Sequence, residues 1–144
     1  MRTSTYDQDF YAWTQAQAAA LRTARPNRFD WKHIAEELEA MGWSERDQME
    51  SRIRQILLHL LKWQFQPWLR SRSWRNSLGV QRRDLAKLLR RNPSLRSHLE
   101  EALAEEYPAS VSHALDETGL PDGAFPATCP YSAEQLQEQD FLPD

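Results

Sequence analysis

Four histidines, His33, His59, His98 and His113, and one cysteine, Cys129, are the side chains of this chain best suited to hold a metal or move a proton near neutral pH. None of the histidines sits in an HExxH motif, and there is no tandem Glu-x-x-His pattern of the kind di-iron helical bundles use. Glu36 and Glu37 follow His33 at helical spacing, which sets a carboxylate beside an imidazole; on a solvated helix that is an ordinary surface pair. Cys129, between Thr128 and Pro130, has no basic neighbour in sequence to lower its pKa and reads as structural or inert. A single cysteine builds neither an internal disulfide nor a cysteine-based zinc site, and it fits a reducing cytoplasm. No metal or other cofactor is implied.

His59 is the more informative histidine because of the stretch that carries it, Ser44 to Trp68, SERDQMESRIRQILLHLLKWQFQPW. At about 100° per residue, Met49, Ile53, Ile56, Leu57, Leu60, Leu61 and Trp63 cover one broad side of a helix, and Leu58 and Phe65 widen the arc. Left over is one polar strip, Gln48, Arg52, Gln55, His59, Lys62 and Gln66, within roughly 40° of a common line. Packing does not dictate those residue types. His59, Lys62 and Gln66, with Asp30 or Glu37 as the carboxylate, are therefore the candidate pocket. Asp30 enters because an antiparallel hairpin turning at Gly42-Trp43 brings His59 near Phe29 and Asp30, and Glu37 near Gln48 or Met49. A His–carboxylate pair orients a general base, but no motif places a Ser or Cys nucleophile beside it, which points away from an enzyme.

The second chemical stretch is RSRSWRNSLGVQRRDLAKLLRR, where arginine and serine can hold phosphates and tryptophan can stack on a base. Arg83, Lys87, Arg90 and Arg91 face outward on a helix whose inward side is Trp74, Leu78, Leu85, Leu88 and Leu89, so they are the candidate nucleic-acid contacts of segment 70–96 and Trp74 is expected in the core. Residues 46–98 hold thirteen Lys and Arg against three acids, whereas residues 99–144 hold eleven acids and no base; the whole chain has a net charge of -3. This asymmetry fits a nucleic-acid surface, or an acidic end that packs on the basic middle and neutralises it. The second reading is favoured, because a free basic patch rarely comes with an equal counter-charge on the same chain.

The elements that position these groups are helical. At 144 residues and 40% hydrophobic, the chain is the size of one domain, and Ala, Leu, Glu, Gln and Arg dominate its long segments. The expected helices are Thr5 to Ala24, ending before an Arg25-Pro26-Asn27 turn; one capped by Asp30 and stopped at Gly42; one from a Ser44/Asp47 capping box to Pro67; one capped by Ser71 or Ser73; and one restarting at Asn92-Pro93, kinked at Pro108 and ending near Gly119. Residues 120–144 are rich in proline and acid yet carry Phe125, Tyr131, Leu136, Phe141 and Leu142, which reads as an extended strap with a short helix capped by Ser132. The N-terminus lacks the apolar core of a signal peptide, and no stretch approaches the roughly 18 apolar residues of a membrane span.

QDFYAW near the start, FDWKHIAEELEAMGWSERD, LLHLLKWQFQP, RSRSWRNSL, NPSLR, TGLP, FPATCPYS and FLP together resemble the bacterial family called domain of unknown function twenty-nine. The resemblance covers nearly the whole chain. It implies an all-helical cytoplasmic protein of the kind found in cyanobacteria and proteobacteria, and it implies no activity and no catalytic residues.

The expectation is then an all-α, single-domain bundle over 1–144, with about five helices in 1–119 and an extended C-terminal strap in 120–144. Its function is read as a non-enzymatic interaction with a protein or with a second copy of itself, ahead of nucleic-acid binding through 70–96 and of a small-molecule or metal site beside His59. No membrane partner is expected.

Overall fold

The computed structural model describes residues 5–24 and 30–144. Among them are six α-helices and no strand: α1 (Thr5–Gln8), α2 (Phe10–Ala24), α3 (Trp31–Phe65), α4 (Arg72–Arg91), α5 (Leu99–Thr118) and α6 (Ala133–Gln137). Short 3-10 segments, Pro67–Leu69 and Pro93–His98, precede α4 and α5. The chain divides into two compact units, Met1–Met49 with Leu88–Ser97 and Glu50–Lys87 with His98–Asp144. The Arg25-Pro26-Asn27 turn and Phe29 lie outside the described residues.

In the first unit the expected first helix is broken at Asp9. Its carboxylate accepts from the Ala12 N–H at 2.8 Å, capping α2, and also from the backbone N–H and the hydroxyl of Ser94 at 2.5 and 2.8 Å. Tyr6, Phe10 and Trp13 form an aromatic ridge, with Tyr6 edge-on to Trp13 at 4.9 Å. Phe10 is buried and Tyr6 is exposed. Asp30 caps α3 as expected, its carboxylate accepting from the His33 N–H at 3.3 Å.

Gly42 does not stop a helix. The ladder runs through it, so the hairpin at Gly42-Trp43 is replaced by one 35-residue helix, and Ser44 and Asp47 stand exposed inside it rather than at a cap. Gly42 serves packing instead: a Cβ there would lie 2.3 Å from Thr14 Oγ1 and 2.6 Å from Gln15 Nε2. The missing side chain lets α2 approach. Asn92 ends α4 as its chemistry suggests, but its side chain is turned to other partners. Oδ1 accepts from the Tyr11 N–H at 2.8 Å, and Nδ2 donates to Glu45 Oε2 at 2.9 Å and to the Leu88 carbonyl at 3.0 Å.

In the second unit Ile53, Ile56, Leu57, Leu60 and Leu61 of α3 have no exposed surface, as their spacing dictates. Each such side chain contributes about 1.5–3 kcal/mol by leaving water. Leu78 and Leu85 of α4 and Leu99, Ala102, Leu103, Tyr107 and Ala114 of α5 complete the apolar interior. α4 is capped by Ser71, whose Oγ accepts from the Trp74 N–H at 3.1 Å. α5 is continuous across Pro108 and ends at Gly119, whose left-handed φ of 69° lets its N–H reach the Leu115 carbonyl. The strap then buries Phe125, Tyr131 and Leu136. Ser132 and Gln135 form a full capping box for α6, Tyr107 donates its hydroxyl to the Pro126 carbonyl at 2.6 Å, and Tyr131 donates to Gln64 Oε1 at 2.7 Å.

Candidate functional site

Two cations of the α3 polar strip, Arg52 and Lys62, tie α3 to other helices of the second unit. Arg52 donates to Gln81 at 3.1 Å and lies 3.7 Å from the Asp84 carboxylate, both on α4. Lys62 pairs with Glu117 of α5 at 2.9 Å, and its ammonium sits 4.8 Å from the centre of the Trp74 ring. Gln66 is buried at the end of α3, where its N–H reaches the Lys62 carbonyl at 3.0 Å. Trp74 is half-buried beneath Lys62 rather than in the core.

His59 is half-buried, and its Nδ1–H donates to the Gln55 carbonyl of its own helix at 2.7 Å. Burial pushes its pKa below the ordinary imidazole value; the Lys62 charge acts in the same direction, while the Gln55 carbonyl and Glu117 oppose it. The imidazole is thus held neutral. Its expected carboxylate partner is a correction: the hairpin that would bring Asp30 to it does not form, and Asp30 instead lies 2.5 Å from Nδ1 of His33. That hydrogen bond raises the His33 pKa and lowers the Asp30 pKa. Asp30, rather than Glu36 or Glu37, is also the carboxylate bonded to His33, because the capping turn folds it back over the first turn of α3. Glu37 is exposed. No group of three or more His, Cys, Asp or Glu suited to a metal ion occurs among the described residues. Cys129 is half-buried, and burial raises its thiol pKa.

The basic helix is divided in its fate. Arg91 is drawn to Glu45 at 3.4 Å and lies over the Phe10 ring at 4.8 Å. Arg83, Lys87 and Arg90 are exposed. Acids of the C-terminal part do meet the basic middle, but from α5 and onto α3: Glu117 on Lys62, and Glu106 on Arg54 at 2.9 Å.

What holds the strap to α4 is Arg82, which the sequence reading missed. Only 1% exposed, it donates to four main-chain carbonyls: Nε to Leu136 at 2.9 Å, Nη2 to Gln135 at 2.9 Å, and Nη1 to Phe141 at 2.8 Å and Gln139 at 3.4 Å. Burial lowers its pKa to about 10, against the opposing charges of Glu138 and Asp140, so it stays protonated at neutral pH. The signal was present in the spacing: residue 82 falls four after Leu78 and three before Leu85, on the inward stripe.

The cavities along α4 are lined by arginine. One of about 370 Å³ is bordered by Trp63, Arg70, Ser71, Arg72 and Arg75; a second, of about 530 Å³, by Arg75, Asn76, Gly79, Val80, Arg83, Gln139 and Asp140.

Among the described residues no helix is long and apolar enough to cross a membrane. A family model described as Domain of unknown function DUF29 matches residues 5–142. Among solved structures, the crystal structure of an alpha-helical protein of unknown function from Rhodospirillum rubrum is similar at 27% identity, with a TM-score of 0.77 over 97% of this chain and 93% of that one. A comparison with curated proteins finds no match.

Proposed function

The chain belongs to the Domain of unknown function DUF29 family, and from that premise we propose that it is a non-enzymatic protein-interaction module that associates with a second copy of itself or with another protein. The observation that carries this reading is the first half of α3, where Ile34, Met41 and Trp43 are 39%, 46% and 48% exposed. Ile34 and Met41, seven residues apart, share one edge of the helix, and Trp43 stands on the opposite side. Ile34 and Met41 on one edge can bury against a partner and Trp43 can make a contact on the other side, and tryptophan is prominent among the residues that dominate such interfaces. The α3 polar strip supports the non-enzymatic part, since Arg52 and Lys62 are tied to Asp84 and Glu117.

Sedimentation velocity over a concentration series, together with a native pull-down, tests the reading. The expected result is association that Met41→Glu and Trp43→Glu abolish while the helical circular dichroism is retained. A monomer at every concentration that also retains no partner overturns it.

A further inference from the structure

Two guanidinium groups meet on one indole where α4 begins, and a third arginine borders the cavity that they line. Arg70 lies over the Trp63 ring at 5.0 Å and Arg75 at 5.6 Å, so one indole gathers two cations; Arg72 and Ser71 border the same cavity of about 370 Å³. Among the described residues no carboxylate borders it. Arg70 is fixed by main-chain acceptors, donating Nε to the Trp63 carbonyl at 2.8 Å and Nη2 to the Pro143 carbonyl at 3.4 Å, which neutralise nothing. Arg72 and Arg75 are exposed and have no ion pair among the described residues. Holding like charges together costs free energy unless an anion joins them, and planar guanidinium forks match phosphate oxygens in pairs.

The chemistry extends past one phosphate. Arg75 also borders the neighbouring cavity of about 530 Å³ with Arg83, two helical turns further on and on the same face. Immediately before the arginines, Trp68 is 70% exposed in the 3-10 turn, offering an indole face to solvent. Cations before and along one helix, with an exposed aromatic two residues before the first of them in sequence, supply the groups that grip a nucleic-acid strand without reading its sequence, through phosphate contacts and base stacking. Asp140 borders the second cavity and limits how closely a strand can lie there.

We propose that the cavity of Arg70, Ser71, Arg72 and Arg75 is a phosphate site for single-stranded nucleic acid, with Trp68 stacking on a base and Arg83 meeting the next part of the backbone. This proposal uses none of the apolar residues Ile34, Met41 and Trp43, so it stands or falls independently of the interaction reading.

The test is fluorescence anisotropy of a labelled thymidine 20-mer with the full chain, across a salt series. The expected result is binding at low salt whose log–log salt slope shallows by about 0.7 for each arginine removed in Arg72→Glu and in Arg72→Glu with Arg75→Glu. Trp68→Ala should weaken binding about tenfold, while Lys32→Glu, the same charge change at an exposed residue outside segment 70–96, should leave the affinity within twofold. No binding at 50 mM salt overturns the proposal, as does equal weakening by Lys32→Glu. Inorganic phosphate that competes at concentrations matching the oligonucleotide's own phosphates would overturn the strand and leave a small-anion site. Unchanged binding by Trp68→Ala, an exposed residue whose loss spares the fold, overturns the stacking role.

Discussion

The two units bury polar groups in different ways. In the first, Asn92 and Glu45 bond side chain to side chain, Asp9 reaches the Ser94 hydroxyl as well as its N–H, and Arg91 lies at the Glu45 carboxylate. In the second, Arg82 takes four main-chain carbonyls and Ser110 donates to the Glu106 carbonyl at 2.9 Å, around an interior of leucine and isoleucine, with Tyr131 on Gln64 as a side-chain pair. A side-chain link needs two particular residues, whereas a carbonyl is present at every residue. The Asn92–Glu45 link of the first unit therefore depends on two residue identities, and the Arg82 cluster of the second on one.

That contrast can be broken in order of expected size. Leu60→Ala, at a site with no exposure, should cost about 3 kcal/mol in urea unfolding; a loss below about 1 kcal/mol would mean that the apolar interior of the second unit is not its main support. Arg82→Ala should cost about 2–3 kcal/mol by stranding buried carbonyls, and it should speed hydrogen exchange in α6. In a double-mutant cycle Arg82 should show coupling near zero to Gln135→Ala, since its bond there goes to the main chain. Asn92→Ala should cost about 2 kcal/mol, and its cycle with Glu45→Ala should give about 1 kcal/mol of coupling. Equal coupling in the two cycles would erase the distinction.

Smaller effects sharpen it. Gly42→Ala gains helix propensity of about 1 kcal/mol but places a Cβ against Thr14 Oγ1, so a net loss of about 1 kcal/mol is expected. Adding Thr14→Ala should recover most of that loss. Proton NMR should find His33 and His59 titrating on opposite sides of the ordinary imidazole value of about 6.5. His33, raised by Asp30, contributes stability that is present below that value and lost as pH rises through its folded pKa; His59, lowered by burial, contributes stability above that value that is lost as pH falls through its folded pKa. Identical midpoints would contradict both placements.

Much of this was legible in the residues. The apolar spacing from Ile53 to Leu61 specified the most buried stretch of helix, and the caps at Asp30, Ser132 and Gly119 could be assigned, with that of α4 narrowed to Ser71 or Ser73, because their partners lie within a turn or so in sequence. What failed was tertiary. Gly42 offers the same signal whether it stops a helix or admits a neighbour, and Thr14 and Gln15, remote in sequence, decide between them. Arg82 was passed over because an arginine among arginines reads as surface, although its register placed it inward. The strip around His59 looked unexplained for a related reason: Asp84 and Glu117, which occupy its cations, belong to other helices.

The order in which the chain visits its two units governs how the molecule can be cut. Glu50–Lys87 is an excursion: the first unit is left at Met49 and regained at Leu88. No unbroken fragment therefore contains that unit and nothing else. A piece ending at residue 49 keeps Asp9 and Glu45 but loses Ser94 and Asn92, on which both close. Excising it intact calls for joining residue 49 to residue 88 through a new linker, and a single proteolytic nick between them would leave two fragments that must reassociate to restore it.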